Sequence, residues 1–272
     1  MFLSFALAFS AAAAAQTAGG GISQQMLNEI SKVRLTTPAD RALANAIASN
    51  SIDNLALNHA NAGELDTYFS VETPSQSITD QQSSGRCWMF SGMNVLRADF
   101  AKRTDSLTVD FSQSYLFFWD QLEKANLFLQ GIVDTGKKPI DDLRVQFFFK
   151  NPLNDGGTFC GVADLADKYG LVPKSVMPET FSSDNTNRMS RLISSKLREY
   201  GLQLRKMVAD GKKQSAINAE KTKMLATVYR MLALTIGEPP TEFTYAFKNK
   251  KGRAVGEVKK YTPMSFYKEV VG

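Results

Sequence analysis

The 272-residue sequence is poor in the side chains that most often build polar reaction centres. It has one histidine, two cysteines and two tryptophans. The histidine, His59, precedes both cysteines, and none follows. A base of the usual kind is therefore absent from the whole C-terminal part of these residues. Two cysteines, Cys87 and Cys160, permit at most one disulfide, so the chain is not a disulfide-stapled scaffold. Beyond an alanine-rich start there is no low-complexity tract and no internal repeat. Past residue 15 no apolar run is long enough to cross a bilayer.

Composition is otherwise that of an ordinary globular protein, with a length that supports one large domain or two small ones. Met1–Ala15 is apolar and uncharged, and polarity begins at Gln16. This pattern, with Ala13-Ala14-Ala15 as a small-residue cleavage site, reads as a secretory signal, although no Lys or Arg precedes the apolar stretch. Export to a periplasm or the exterior is expected if the signal is genuine, and a cytoplasmic protein otherwise. No stable membrane partner is expected.

The 32 basic and 27 acidic residues give a net charge of +5. The excess is local: positions 188–230 hold eleven Lys/Arg against three Asp/Glu. Such a stripe could meet phosphate or an acidic partner, but the solvated face of two long helices is the favoured reading.

Apolar spacing predicts helices over Gln24–Lys32 (Leu27, Ile30) and Pro38–Ala48 (Leu43, Ile47). Tyr68–Ile78 reads as extended chain. A helix beginning at Cys87 would bury Met89, Met93, Leu96 and Phe100, with Ser84 and Gly85 as cap residues. The next would start near Ser112 and carry Leu116, Trp119, Leu122 and Leu129. Pro139 suits a first helical position, with Leu143 and Phe147 facing a core. Gly170 would end a helix containing Val162, Leu165 and Ala166. Two long helices, Asp184–Ala209 and Gln214–Ile236, are divided by Gly211 and stopped by Gly237-Glu238-Pro239-Pro240. Glu242–Phe247 and Ala254–Lys260 suggest a hairpin about Lys251-Gly252, and Thr262-Pro263 opens a final helix.

The most informative stretch is Thr79-Asp80-Gln81-Gln82-Ser83-Ser84-Gly85-Arg86-Cys87-Trp88-Met89-Phe90-Ser91. It puts a thiol in the first turn of a helix, where partial positive charge favours a thiolate. A nearby glutamine amide can stabilise the oxyanion formed when that thiolate attacks a carbonyl. Arg86 would assist the thiolate, bind a substrate carboxylate, or simply be solvated. A disulfide to Cys160 would consume the nucleophile, so Cys160 is expected as a small buried residue in a helix.

The segment Gln81–Ser91 resembles the papain superfamily, whose pattern is Gln, five residues, Cys, Trp and an aromatic. Its local form, with Phe111–Asp120, Asn151–Gly157 and Lys168–Lys174 as further blocks, resembles the bleomycin hydrolase and aminopeptidase C branch. The six-residue spacing selects Gln81 over Gln82 as the oxyanion donor, acting with the Cys87 N–H. Trp88 would pack at a domain junction. Gly156-Gly157 resembles the glycine pair of the substrate cleft, where missing side chains let a peptide lie against the backbone. The same residues also suit a turn into a helix.

The resemblance implies an α+β, papain-like cysteine peptidase fold. The helical half would be present with a long helical insert, and the β-rich half largely missing. Boundaries follow at 1–15 (signal), 16–78 (N-terminal segment), 79–183 (helical subdomain with the nucleophile), 184–240 (insert) and 241–272 (start of the β-rich part). It implies aminopeptidase-like hydrolysis through a Cys87 acyl-enzyme, peptide substrates, a homo-oligomer (a hexamer) and no metal or cofactor. The family's catalytic His and Asn would fall beyond Gly272, and His59 is a poor substitute because its order is wrong. The chain alone is therefore expected to be inactive. The rival is a non-catalytic paralogue serving assembly or, through the basic stripe, nucleic acid.

Overall fold

The computed structural model describes residues 21–272 apart from 62, 64, 65, 67, 74–76, 105 and 106. The signal-like stretch lies outside the described residues. The chain divides into two compact units, 1–70 and 71–272.

In the first unit, helix α1 (Gln24–Ile30) runs into a 3-10 turn (Ser31–Val33), followed by α2 (Pro38–Ser49) and α3 (Ile52–Ala56). Local rules set these helices. Ser23 caps α1, and Thr37 with Asp40 forms a reciprocal capping box at α2, where proline occupies the first turn. The Thr37 and Thr36 bonds hold the Asp40 carboxyl below its ordinary range. The apolar positions Leu27, Ile30, Leu43 and Ile47 are nevertheless exposed, and none of the three helices buries a residue. His59 sits exposed in a 3-10 turn, His59–Asn61.

The second unit is mostly helical. Its helices are α4 (Cys87–Thr104), α5 (Gln113–Asp134), α6 (Leu143–Lys150), α7 (Phe159–Tyr169), the one-turn α8 (Phe181–Asp184), α9 (Thr186–Ala209), α10 (Gln214–Ile236) and α11 (Pro263–Val271). Four short strands make two antiparallel pairs. In one, β1 (Leu107–Thr108) meets β3 (Lys248–Asn249); in the other, β2 (Phe243–Tyr245) meets β4 (Lys259–Tyr261) in the register Phe243↔Tyr261. The expected hairpin thus exists about a turn with Gly252 at φ +74°, and β3, just past its expected first arm, pairs with β1.

α5 is the spine of the core. Ser112 caps it, and Leu116, Phe117, Phe118, Ala125, Leu129 and Ile132 are wholly buried. Each such large side chain contributes about 1.5–3 kcal/mol. Against α5 pack α9 and α10, through Ile193, Leu197 and Leu204 of one and Val228, Leu232 and Ile236 of the other. α4 lies against α7, where Gly92 permits close approach: a Cβ there would come 2.8 Å from Val162.

Three local expectations differ from the structure. Ser84 and Gly85 do not cap α4; the Arg86 carbonyl accepts its first amide bonds, from Met89 and Phe90. Pro139 stands outside α6, whose cap is Asp142, because the Asp142 carboxylate takes the Arg144 and Val145 amides. Shifting the start puts Val145 inside and leaves Leu143 and Phe147 exposed. By contrast Gly170 (φ +79°) and Gly237 (φ +104°) end their helices in conformations that suit glycine.

Candidate active site

Cys87 is the first residue of α4 and is exposed, while the next three residues, Trp88, Met89 and Phe90, are buried. The helix behind the thiol is thus anchored in the core and its tip is open. The amides of Cys87 and Trp88 donate to no described residue, as expected of the first turn of a helix.

Every neighbour of Cys87 is tied down by a partner distant in sequence. Gly85 N donates to Asp155 Oδ2 at 2.6 Å, and Trp88 Nε1 donates to the Asp155 carbonyl at 2.9 Å. Asp155 therefore grips the chain on both sides of the thiol. A Cβ at Gly85 would lie 2.5 Å from Asp155 Oδ1, so the grip requires glycine. The same carboxylate accepts from Thr186 Oγ1 at 2.7 Å, at the start of α9. Burial opposes ionisation of Asp155, but the Thr186 and Gly85 bonds prevail and hold its carboxyl below the usual range.

Arg86 is not solvated, as one expectation had it, and it is not available to a substrate: it is 0% exposed. Its guanidinium sits over the rings of Phe90 and Phe117, at 5.0 and 5.2 Å. It donates to Ser84 Oγ (2.9 Å) and Glu179 Oε2 (2.7 Å), and lies 3.8 Å from Asp184. A buried charge is tolerated only when paired in this way. The pair fastens the residue before Cys87 to the segment that leads into α8.

Gln81 and Gln82 are neighbours with different fates. Gln82 has φ +53°, is exposed, and donates to Asp80 from both its backbone and its side chain. Gln81 is half-buried and folds back on the loop, with Nε2 donating to Ser84 O and Ser84 Oγ donating to Gln81 O at 2.7 Å. A second proton remains on Nε2 for another acceptor.

Gly156 and Gly157 form an exposed segment just ahead of α7. Gly157 is held against Trp88, where a Cβ would come 2.5 Å from ring atom Cε2. Lys124 on α5 braces this wall, donating to the carbonyls of Gly156 (2.6 Å) and Asn154 (3.1 Å) and to Asp120 (2.8 Å). Burial raises the Asp120 carboxyl pKa although Lys124 opposes it. Cys160 was expected to be buried, but it is exposed near the start of α7, because Val162, Leu165 and Ala166 supply that helix's buried stripe. Cys87 and Cys160 are both free thiols.

Asp155, Lys124, Glu179 and Thr186 were missed as site residues. Asp155 had a visible cue, since it directly precedes the glycine pair. The other three have none, because their partners lie far away in sequence. Among the described residues, no three His, Cys, Asp or Glu side chains are placed to hold a metal, and no helix is long and apolar enough to cross a membrane.

The structure thus presents an exposed thiol at the tip of a buried helix, a folded-back glutamine and an exposed glycine segment. Residues 21–272 match the Peptidase C1-like family, and the chain belongs to it, within the bleomycin hydrolase and aminopeptidase C branch of the papain superfamily. It is 38% identical over 235 residues to aminopeptidase C of Lactobacillus delbrueckii subsp. lactis, covering 86% of this chain and 52% of that one. It is 36% identical over 233 residues to human bleomycin hydrolase, covering 84% and 50%. The crystal structure of PepW from Lactobacillus rhamnosis superposes with a TM-score of 0.85 at 37% identity, covering 93% of this chain and 56% of that one. The chain thus spans about half the length of the curated relatives it matches.

Proposed function

We propose that these residues carry the nucleophile and oxyanion half of a cysteine aminopeptidase. The observation that carries the reading is the exposed Cys87 at the open tip of α4, with residues 85, 86 and 88 each fixed by buried or long-range bonds. A nucleophile held still relative to its surroundings loses little entropy on reaching the reacting geometry.

In this reading a peptide lies along Gly156-Gly157. The Cys87 thiolate attacks the scissile carbonyl carbon. The oxyanion is met by the Cys87 N–H and by the spare Nε2 proton of Gln81. Collapse forms the thioester, expels the amine with a proton, and water later releases the acid. No histidine follows Cys87 in the 272 residues, so the group that takes the thiol proton and hands it to the amine comes from outside them. Assembly as a homo-oligomer, a hexamer on the strength of the resemblance, and export through Met1–Ala15 complete the proposal.

The alternative assembly or nucleic-acid role has less behind it. Of the cations at 188–230, Lys196, Lys206 and Lys223 pair with carboxylates of their own helices. Arg198 and Arg205 donate to backbone carbonyls and Lys221 to Gln130. Much of the stripe is thus engaged within the protein.

The leaving group provides the test. An amide nitrogen departs only with a proton, whereas p-nitrophenolate departs without one. An aminoacyl p-nitrophenyl ester should therefore acylate Cys87, releasing one p-nitrophenolate per chain, with no release from Cys87→Ala. Amide turnover by the 272-residue chain should equal that of Cys87→Ala. Equal acylation of Cys160, or no burst, would count against the nucleophile assignment.

A further inference from the structure

Three successive carbonyls ahead of α7 are held by side chains of α4 and α5. Asn154 O accepts from Gln121 Nε2 at 2.9 Å and from Lys124 Nζ at 3.1 Å. Asp155 O accepts from Trp88 Nε1 at 2.9 Å, and Gly156 O from Lys124 Nζ at 2.6 Å. A trans peptide unit is planar and sets its C=O and N–H on opposite sides. No cis bond occurs among the described residues. The Gly156 N–H therefore points away from Trp88, and the Gly157 N–H away from Lys124. Both glycines are exposed, and neither amide donates to a described residue. The segment so offers two adjacent donors on its open side. Gly157 lies against Trp88, the residue after Cys87.

Lys124 is the hub of this arrangement. An ammonium has three protons, and here they meet three acceptors: Gly156 O, Asn154 O and, at 2.8 Å, Asp120 Oδ2. The side chain is only 22% exposed, and its Nζ lies 5.5 Å from the centroid of the Trp88 ring. Gln121 also donates to Asp120 Oδ2, at 2.9 Å. Asp120 and Asn154 O thus each have a second donor. Gly156 O has none besides Lys124 among the described residues. Removing the ammonium therefore frees one peptide plane above all, the one that carries the Gly157 N–H.

We infer that Lys124 is a positioning residue for substrate. By fixing the Gly156 carbonyl it aims the Gly157 N–H at an acceptor carbonyl in the acyl portion of the bound peptide. It touches no reacting atom and acts through the glycine backbone. A lysine suits the task because a compact ammonium serves converging acceptors, whereas a guanidinium fork spreads its protons in a plane. The inference rests on the proposed thiol-hydrolase reading, and not on the release of single residues.

The test is the Cys87-dependent p-nitrophenolate burst of the 272-residue chain with two esters. N-acetyl-phenylalanine p-nitrophenyl ester and 3-phenylpropionic acid p-nitrophenyl ester differ by the acetamido group, which supplies the acceptor carbonyl. The wild type should half-saturate at about three- to tenfold lower concentration with the first, as one hydrogen bond allows. Lys124→Met should bring that preference close to one, through the half-saturating concentration and not the limiting rate. Lys124→Arg keeps a cation beside Asp120 and serves if the methionine variant folds poorly; it should lose part of the preference. No preference in the wild type, a preference kept in full by either folded variant, or an equal loss with both esters, the mark of a merely structural brace, would each overturn the inference. No Cys87-dependent burst from the wild type with either ester would instead overturn the hydrolase reading beneath it.

Discussion

The loop ahead of Cys87 and the helical pair α9–α10 are held by opposite means. The loop is fixed by polar contacts that span 70 to 93 residues of sequence, from Asp155 and Glu179. The pair is fixed by rows of buried aliphatic side chains against α5, with its ion pairs confined to i,i+3 and i,i+4 partners on the surface. Apolar packing is plural and tolerant, since many residues share the load. A polar clamp is singular, and removing one partner strands the other. The scaffold is therefore built for stability and the loop for position.

The sharpest way to break this contrast is Arg86→Met. It leaves Glu179 buried beside a lost cation, and urea unfolding should show a loss of about 3–5 kcal/mol. The double change Arg86→Met with Glu179→Leu should recover most of it. Leu232→Ala, at a wholly buried position of α10, should cost about 2–5 kcal/mol, with alkylation of Cys87 in the folded protein unchanged. Asp155→Ala should cost less, about 1–3 kcal/mol, yet alter Cys87 alkylation more, because it releases Gly85.

Acid probes the same clamp. The folded Asp155 carboxyl lies below its unfolded value of about 3.9, so its contribution is present above that pH and fades as pH falls through the folded value. Asp155→Asn should flatten the acid limb of a stability-against-pH curve below about pH 4. At the small end, Lys206→Ala removes a surface pair with Asp210 and should shift stability by less than about 0.5 kcal/mol.

The contrast also explains what was legible beforehand. α5, α7, α9, α10 and α11 could be placed from periodicity, caps and terminal glycines, because those signals lie within a few residues of what they govern. The thiol and Gln81 were legible as a short motif. Arg86 was not, since nothing near it in sequence announces Glu179 or Phe117, whose ring lies with that of Phe90 against the guanidinium. α6 failed for a local reason: Pro139 and Asp142 both suit a helix start, and the choice between them decides whether Val145 or Leu143 and Phe147 turn inward. In the first unit amphipathic spacing gave helices but not burial, because spacing specifies a face and not its partner.

The most direct measurement compares the rates at which iodoacetamide modifies Cys87 and Cys160, both exposed, in the folded chain and in urea. A positioned, activated sulfur predicts that Cys87 reacts at least about tenfold faster when folded and that the advantage vanishes on unfolding. Equal rates in the folded chain would contradict the account.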